Sequence, residues 1–170
     1  MDPAEQTDRW ISLLRSTNTA QQASALREIS SCEHVTGCTM ECLALVASHD
    51  DEVQMWASEA LESSIKPGPD DVRRLTAHLI GANDGEICYW AATMLGRLGR
   101  AAGSAVDALE ICARDREYLP ARERSVWALC HIGPQAESAL PTLLEIADDA
   151  PARLQRLSLQ AIKIVRGKAA

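Results

Sequence analysis

The sequence predicts an all-α fold, an α-α solenoid of about five helix pairs forming a single domain over 1–170, and three observations carry that expectation. An apolar anchor returns at Leu26, Leu61, Leu95, Leu129 and Ile162, in steps of 35, 34, 34 and 33 residues, the signature of stacked two-helix repeats. Around each anchor the positions four before, one before and three after are mostly small or apolar, which at helical spacing puts them on one face. The composition agrees. With 46% apolar residues, aromatics at only 4% and no Phe, the chain favours closely packed helices over sheets.

The stretch Arg122–Ala147 shows how one repeat passes into the next. Ser125, Ala128, Leu129 and Ile132 keep a helical period up to Gly133-Pro134, where a helix cannot easily continue. Ala139, Leu140, Leu143, Leu144 and Ala147 resume the period, with Pro141 near a first turn that tolerates its missing N–H.

Taken in order, the first repeat (3–31) holds helices 3–16 and 19–31, opened by Asp2-Pro3 and broken at Thr17-Asn18. The second (36–65) holds 37–48 and 51–65, divided at Ser48-His49-Asp50-Asp51. Gly68-Pro69-Asp70-Asp71 opens the third (67–99), with helices 69–81 and 84–98 parted by Asn83-Asp84-Gly85. In the fourth (101–133), helices 103–114 and 119–132 flank a longer turn, Arg114–Leu119, ending at Pro120. The fifth (134–166) holds 136–148 and 151–166, divided at Asp148-Asp149 ahead of Ala150-Pro151.

The strings YWAATMLGRLG, VWALCHIG and PQAESALPTLLEIADD are similar to the HEAT repeats, particularly the short bacterial kind also seen in phycobilisome-lyase-like proteins. They share an Ala-Ala-Leu-Gly second helix, a glycine joint and a first helix opening with Ala-x-x-Pro-x-Leu. The resemblance covers nearly all of the chain and is strongest over 67–166. It implies a right-handed superhelix whose second helices line the concave surface. Where the family often has Val-Arg in the second helix's first turn, this chain has Val53-Gln54 and Ile87-Cys88.

On the helical wheel, positions six before, two before and one after each anchor lie opposite the core. The second repeat places Met55, Glu59 and Glu62 there; the third, Tyr89 and Thr93; the fourth, Glu123 and Trp127; the fifth, Arg156, Gln160 and Lys163. By the resemblance this face is concave, and Met55, Tyr89 and Trp127 stand out on it. Exposed Met and aromatic residues are enriched at interfaces, so these ten residues form the expected partner-binding strip. Trp127 is the sharpest member, because Ser24, Glu59, Thr93 and Gln160 hold the equivalent positions and repeat packing does not demand an indole. Trp56 and Trp90, with Arg124 and Leu157 at the same register, fall on the flank where repeats meet and read as packing residues. The outer flanks carry Gln21 and Glu28 at one end and Gln155, Leu159 and Arg166 at the other, the mostly polar ends expected of a capped, monomeric array.

Six cysteines sit mainly within apolar helical patterns and read as reduced packing residues. Cys32, His34, Cys38 and Cys42 cluster, but not at the spacing of a standard zinc site, so neither metal nor cofactor is expected. The histidines lack the following Glu of HEAT-like di-iron hydroxylases, and no nucleophile–base motif or phosphate-binding glycine loop stands out. The net charge is −7, unevenly spread: 6 Lys+Arg against 14 Asp+Glu in residues 1–85, and 11 against 10 in residues 86–170. An acidic chain repels phosphate backbones at long range, which disfavours nucleic acid. The N-terminal residues lack a signal-peptide core and no apolar run approaches the ~20 residues of a membrane span, so a cytoplasmic location is expected. The function that follows is a non-enzymatic scaffold binding a protein or peptide on the second helices. The alternative is a HEAT-like enzyme or enzyme subunit, bilin-lyase-like before DNA-glycosylase-like, whose second form is opposed by Glu59, Glu62 and Glu123.

Overall fold

The computed structural model describes residues 2–115 and 117–167. Ten α-helices and no strand occur among them, and the fold is all-α, built from helix pairs. The helices gather into two compact units, with the boundary between Asp71 and Val72.

The first unit contains α1 (Pro3–Leu14), α2 (Thr19–Ser30), α3 (Thr39–Leu45) and α4 (Asp51–Ser63). Their starts follow from local chemistry. Asp2, Asn18 and Asp50 each turn a side-chain oxygen onto backbone N–H groups of the first turns of α1, α2 and α4, and each such cap is worth about 1 kcal/mol. α1 packs on α2, α3 on α4, and α2 on α4, burying Leu14, Leu26, Ile29, Leu43, Val53 and Leu61. Helix α3 is shorter than the expected 37–48: it starts late, at Thr39, because Gly37 takes a left-handed φ of 86° and Cys38 precedes the first turn without capping it, and it ends early, at Leu45. The segment after α2 is held by one parallel bridge, Val35 N–H donating to the Ser64 carbonyl at 3.0 Å and Lys66 N–H to the Val35 carbonyl at 2.8 Å. Asp71, in the 3-10 turn Pro69–Asp71, accepts from the Thr39 hydroxyl and from Gly68 N–H, both at 2.9 Å.

The second unit contains α5 (Val72–Gly81), α6 (Gly85–Leu98), α7 (Val106–Asp115), α8 (Leu119–Ile132), α9 (Leu140–Asp148) and α10 (Ala152–Val165). The second helices α6, α8 and α10 pack side by side, α8 against both neighbours, while α7 contacts α5 and α9. Leu75, Leu79, Met94, Leu95, Leu109, Leu129, Ile132, Leu143 and Leu154 fill the space between the two rows. Ala91, Ser125 and Ser158, four before their anchors, are fully buried, which allows close helix approach. The two joints repeat each other. Gly99 (φ 54°) ends α6 and Gly133 (φ 75°) ends α8, and 3-10 segments Gly99–Ala105 and Gly133–Ala139 lead into α7 and α9. The sequence reading missed these 3-10 segments, which carry no apolar period of their own. The expected long turn Arg114–Leu119 includes Arg116, which lies outside the described residues.

The departures from Val-Arg acquire a structural meaning. Seven before the anchor, Gln54 donates to the Val46 carbonyl at 2.9 Å, Arg122 to Ala113 at 2.8 Å and Gln155 to Asp148 at 3.0 Å; Cys88 Sγ lies 3.8 Å from the Leu79 carbonyl. Each ties the start of a second helix to the end of its first, satisfying carbonyls left open where that helix stops. Arg is one of several donors that fit.

Candidate interaction site

In the second unit, α6 and α8 bring three large side chains together. Arg124 Nη2 donates to the Tyr89 hydroxyl at 2.8 Å, and its guanidinium carbon lies 5.0 Å from the Tyr89 ring centroid and 5.4 Å from that of Trp127. These are cation–π distances. Tyr89 also meets Trp90 edge to face at 5.1 Å, and Trp90 is buried. Trp127 is braced by His131, centroids 4.1 Å apart, while His131 Nδ1 pairs with the Trp127 carbonyl at 2.9 Å. Behind the indole is Gly96, where an added Cβ would stand 2.2 Å from Trp127 Cζ3. The glycine makes room for the indole to settle on α6.

This shelf forms one wall of a cleft of about 310 Å³ that Pro120, Glu123, Arg153 and Leu157 complete. Glu123, only 13% exposed at its side chain, accepts an ion pair at 3.2 Å from Arg153, which is 75% exposed. At the start of α8, Tyr118 donates its hydroxyl to Glu86 and lies over Gly85. Its bond to Glu86, with partial burial and the Glu86 charge, pushes the phenol up to about 12.

The first unit has its own groove of about 470 Å³, lined by Arg27, Ser30, Ser31, Met55, Trp56 and Glu59. Arg27 lies 5.5 Å over the Trp56 ring and pairs with Glu52. Met55 is 55% exposed.

Of the expected strip, Tyr89, Glu123 and Trp127 line the cleft, Met55 and Glu59 line the groove, and Glu62, Arg156, Gln160 and Lys163 are exposed outside both. Thr93 is a correction: it is 1% exposed, its hydroxyl donating to the Tyr89 carbonyl at 2.8 Å, because close packing of α6 on α8 covers that position. Trp127 is half-buried, not free of packing. Trp90 is a packing residue as expected, whereas Trp56 is half-buried at the groove and Arg124 and Leu157 line the cleft. Arg124 was the residue most misjudged from sequence; a cation where Trp56 and Trp90 stand in other repeats was the available signal.

The cysteine cluster does not converge. Cys38 and Cys42 are buried; burial, then the Glu41 charge, pushes Cys38 up to about 11, and burial, then Cys38 and Glu41, raises Cys42 as well. Cys32 Sγ turns to the Glu28 carbonyl at 3.4 Å and His34 is exposed. Among the described residues no group of three or more His, Cys, Asp or Glu is placed to hold a metal, and no helix is long and apolar enough to cross a membrane.

Comparison with family models and with curated proteins finds no match for the chain. Solved structures do resemble it. An engineered protein superposes with a TM-score of 0.64 at 18% identity, covering 96% of this chain and 80% of that one. The complex of CpcE and CpcF of phycocyanin lyase from Nostoc sp. PCC7120 superposes at 0.60 with 15% identity, covering 93% of this chain and 98% of that one. At such identities it is the fold that is shared, a HEAT-like helical-repeat fold.

Proposed function

We propose that this chain is a non-enzymatic, monomeric, cytoplasmic module that holds a protein or peptide on the outward faces of its second helices. The observation that carries the reading is the Tyr89–Arg124–Trp127 shelf, whose rings and guanidinium are fixed in place before any partner arrives. Tyr, Trp and Arg dominate binding hot spots because they offer large contact area at small entropic cost. Met55 and Glu59 in the first unit's groove, with Glu62 beside it and Arg156, Gln160 and Lys163 on α10, complete the proposed contact set. Affinity capture from the native cell tests it: a protein retained by the chain and lost on Trp127→Ala supports the reading, and an identical retained set with both sinks it.

A second reading, an enzyme subunit of the bilin-lyase kind, draws on the likeness to the CpcE–CpcF complex. It predicts a visible absorbance change when the chain is mixed with an open-chain tetrapyrrole, which the scaffold reading does not.

A further inference from the structure

We propose that the cleft walled by α8 and α10 takes an acidic peptide segment, one apolar or aromatic side chain seated against Tyr89, Trp127 and Leu157 and a neighbouring Asp or Glu carboxylate on Arg153. This rests on the reading of the cleft as a protein-binding surface and names the partner's chemistry.

The charge of the site selects the occupant. Glu123 is the one carboxylate lining the cleft among the described residues; it is nearly covered and already paired with Arg153. A ligand cation would have to displace that arginine, whereas a ligand carboxylate has only to approach it, since Arg153 keeps three-quarters of its side chain in solvent. Arg124 meets rings and a phenol instead of a carboxylate, so its charge is not neutralised. Arg156 and Lys163, exposed on α10, add to the same sign. The second unit as a whole follows: residues 72–170 carry 13 Lys+Arg against 11 Asp+Glu, while residues 1–71 carry 4 against 13.

The volume, about 310 Å³, suits one or two side chains of a segment. The rings and Leu157 supply apolar contact, and the guanidinium edge supplies a charge-assisted hydrogen bond. A nucleic-acid strand would also find rings and cations, but the net charge of −7 repels a polyanion over its length. A short segment with one or two carboxylates meets only the local field.

The test is a random library of short displayed peptides, panned on the full chain and counter-selected on Trp127→Ala. The expected winners join Asp or Glu to an aromatic or large apolar residue, bind about tenfold weaker to Arg153→Glu and by a smaller factor to Arg156→Glu than to the parent, and weaken as salt rises. Thermal melts of both charge variants confirm that they fold. Trp127-dependent winners without an acidic excess, or rich in Lys and Arg, overturn this inference and leave the binding reading standing. Absence of any Trp127-dependent winner overturns both. Oligothymidine binding more tightly than the best peptide, in a Trp127-dependent way, overturns the peptide in favour of a nucleic acid.

Discussion

Replacing Gly96 by Ala isolates the contact on which the shelf rests. A methyl group there would stand 2.2 Å from Trp127 Cζ3, 2.6 Å from Cε3 and 3.1 Å from the Ala128 Cα. Carbon atoms settle at about 3.5–4.0 Å, so the indole has to withdraw by more than an ångström. It has little freedom to do so, with the His131 ring tilted against it at a centroid distance of 4.1 Å and Arg124 held over it. Overpacking of this kind costs about 1–3 kcal/mol, while Gly→Ala within a helix returns about 0.5–1 kcal/mol. The net expectation is a loss of up to about 2.5 kcal/mol. In a Trp127→Ala background the indole obstacle is gone, and the same substitution should be neutral or slightly stabilising, apart from the tight Ala128 contact. Urea unfolding of the four proteins, followed by far-UV circular dichroism, gives the coupling directly, expected at about 1–3 kcal/mol for residues in contact. If Gly96→Ala stabilises the parent, or the two changes add, Trp127 does not rest on Gly96 and the shelf is not built as described.

Trp127→Ala alone should cost about 2 kcal/mol of stability, more than a free surface residue but less than the ~3–5 kcal/mol of Trp90→Ala; equal losses would make Trp127 core. With Tyr118 pushed up to about 12, the folded state holds its phenolic proton above the point where the unfolded state releases it. Its stabilising contribution is therefore complete below about pH 10 and lost as pH climbs toward 12; the ultraviolet tyrosinate signal of Tyr118 should move back toward 10 in Glu86→Gln. Thiol alkylation followed by mass spectrometry should label Cys32 and Cys130 ahead of buried Cys38, Cys42, Cys88 and Cys112, and chelator should leave the helical signal unchanged. Early labelling of Cys38 or Cys42, or chelator-induced unfolding, would contradict the burial and the metal-free expectation. Light scattering should report one discrete monomeric species; concentration-dependent filaments would show adhesive flanks.

The helices were legible because their signals are local. The 34-residue step, Asp and Asn caps and Pro first turns place nine of the ten helix starts within about three residues of where the structure has them, α7 among those nine. The exception is α9, expected at 136 and found to start at Leu140 after the 3-10 segment Gly133–Ala139; the 3-10 segment Gly99–Ala105 delays α7 in the same way, from 103 to Val106. The cleft was only partly legible because a wheel treats every repeat alike. It placed Tyr89, Glu123 and Trp127 on the outward face, but put Thr93 there too and assigned Arg124 to packing. What separates them is not periodic. Gly96 lets one indole settle on α6, the close packing of α6 on α8 covers Thr93, and Arg124 lies between two rings. A glycine in the last turn of α6, where the next repeat has Cys130, was the trace that this exchange left in the sequence.

The paired joints at Gly99 and Gly133 have an evolutionary consequence. Both place a left-handed glycine ahead of the same 3-10 segment, with Ala102 and Ala136 in nearly the same conformation (φ −90°, ψ 16° and φ −89°, ψ 21°), so a cassette cut from one glycine to the next would rejoin without backbone distortion. Side chains restrict what the hinges permit. A tandem copy of 99–132 would aim its indole at Cys130, which occupies in α8 the place that Gly96 holds in α6, and a thiol there leaves no room for it. Duplication at these hinges is therefore easy for the main chain and selective for the surfaces, so that lengthening the array requires a fresh cavity for each new indole, and the order of the existing cassettes is kept by fit instead of by linkage.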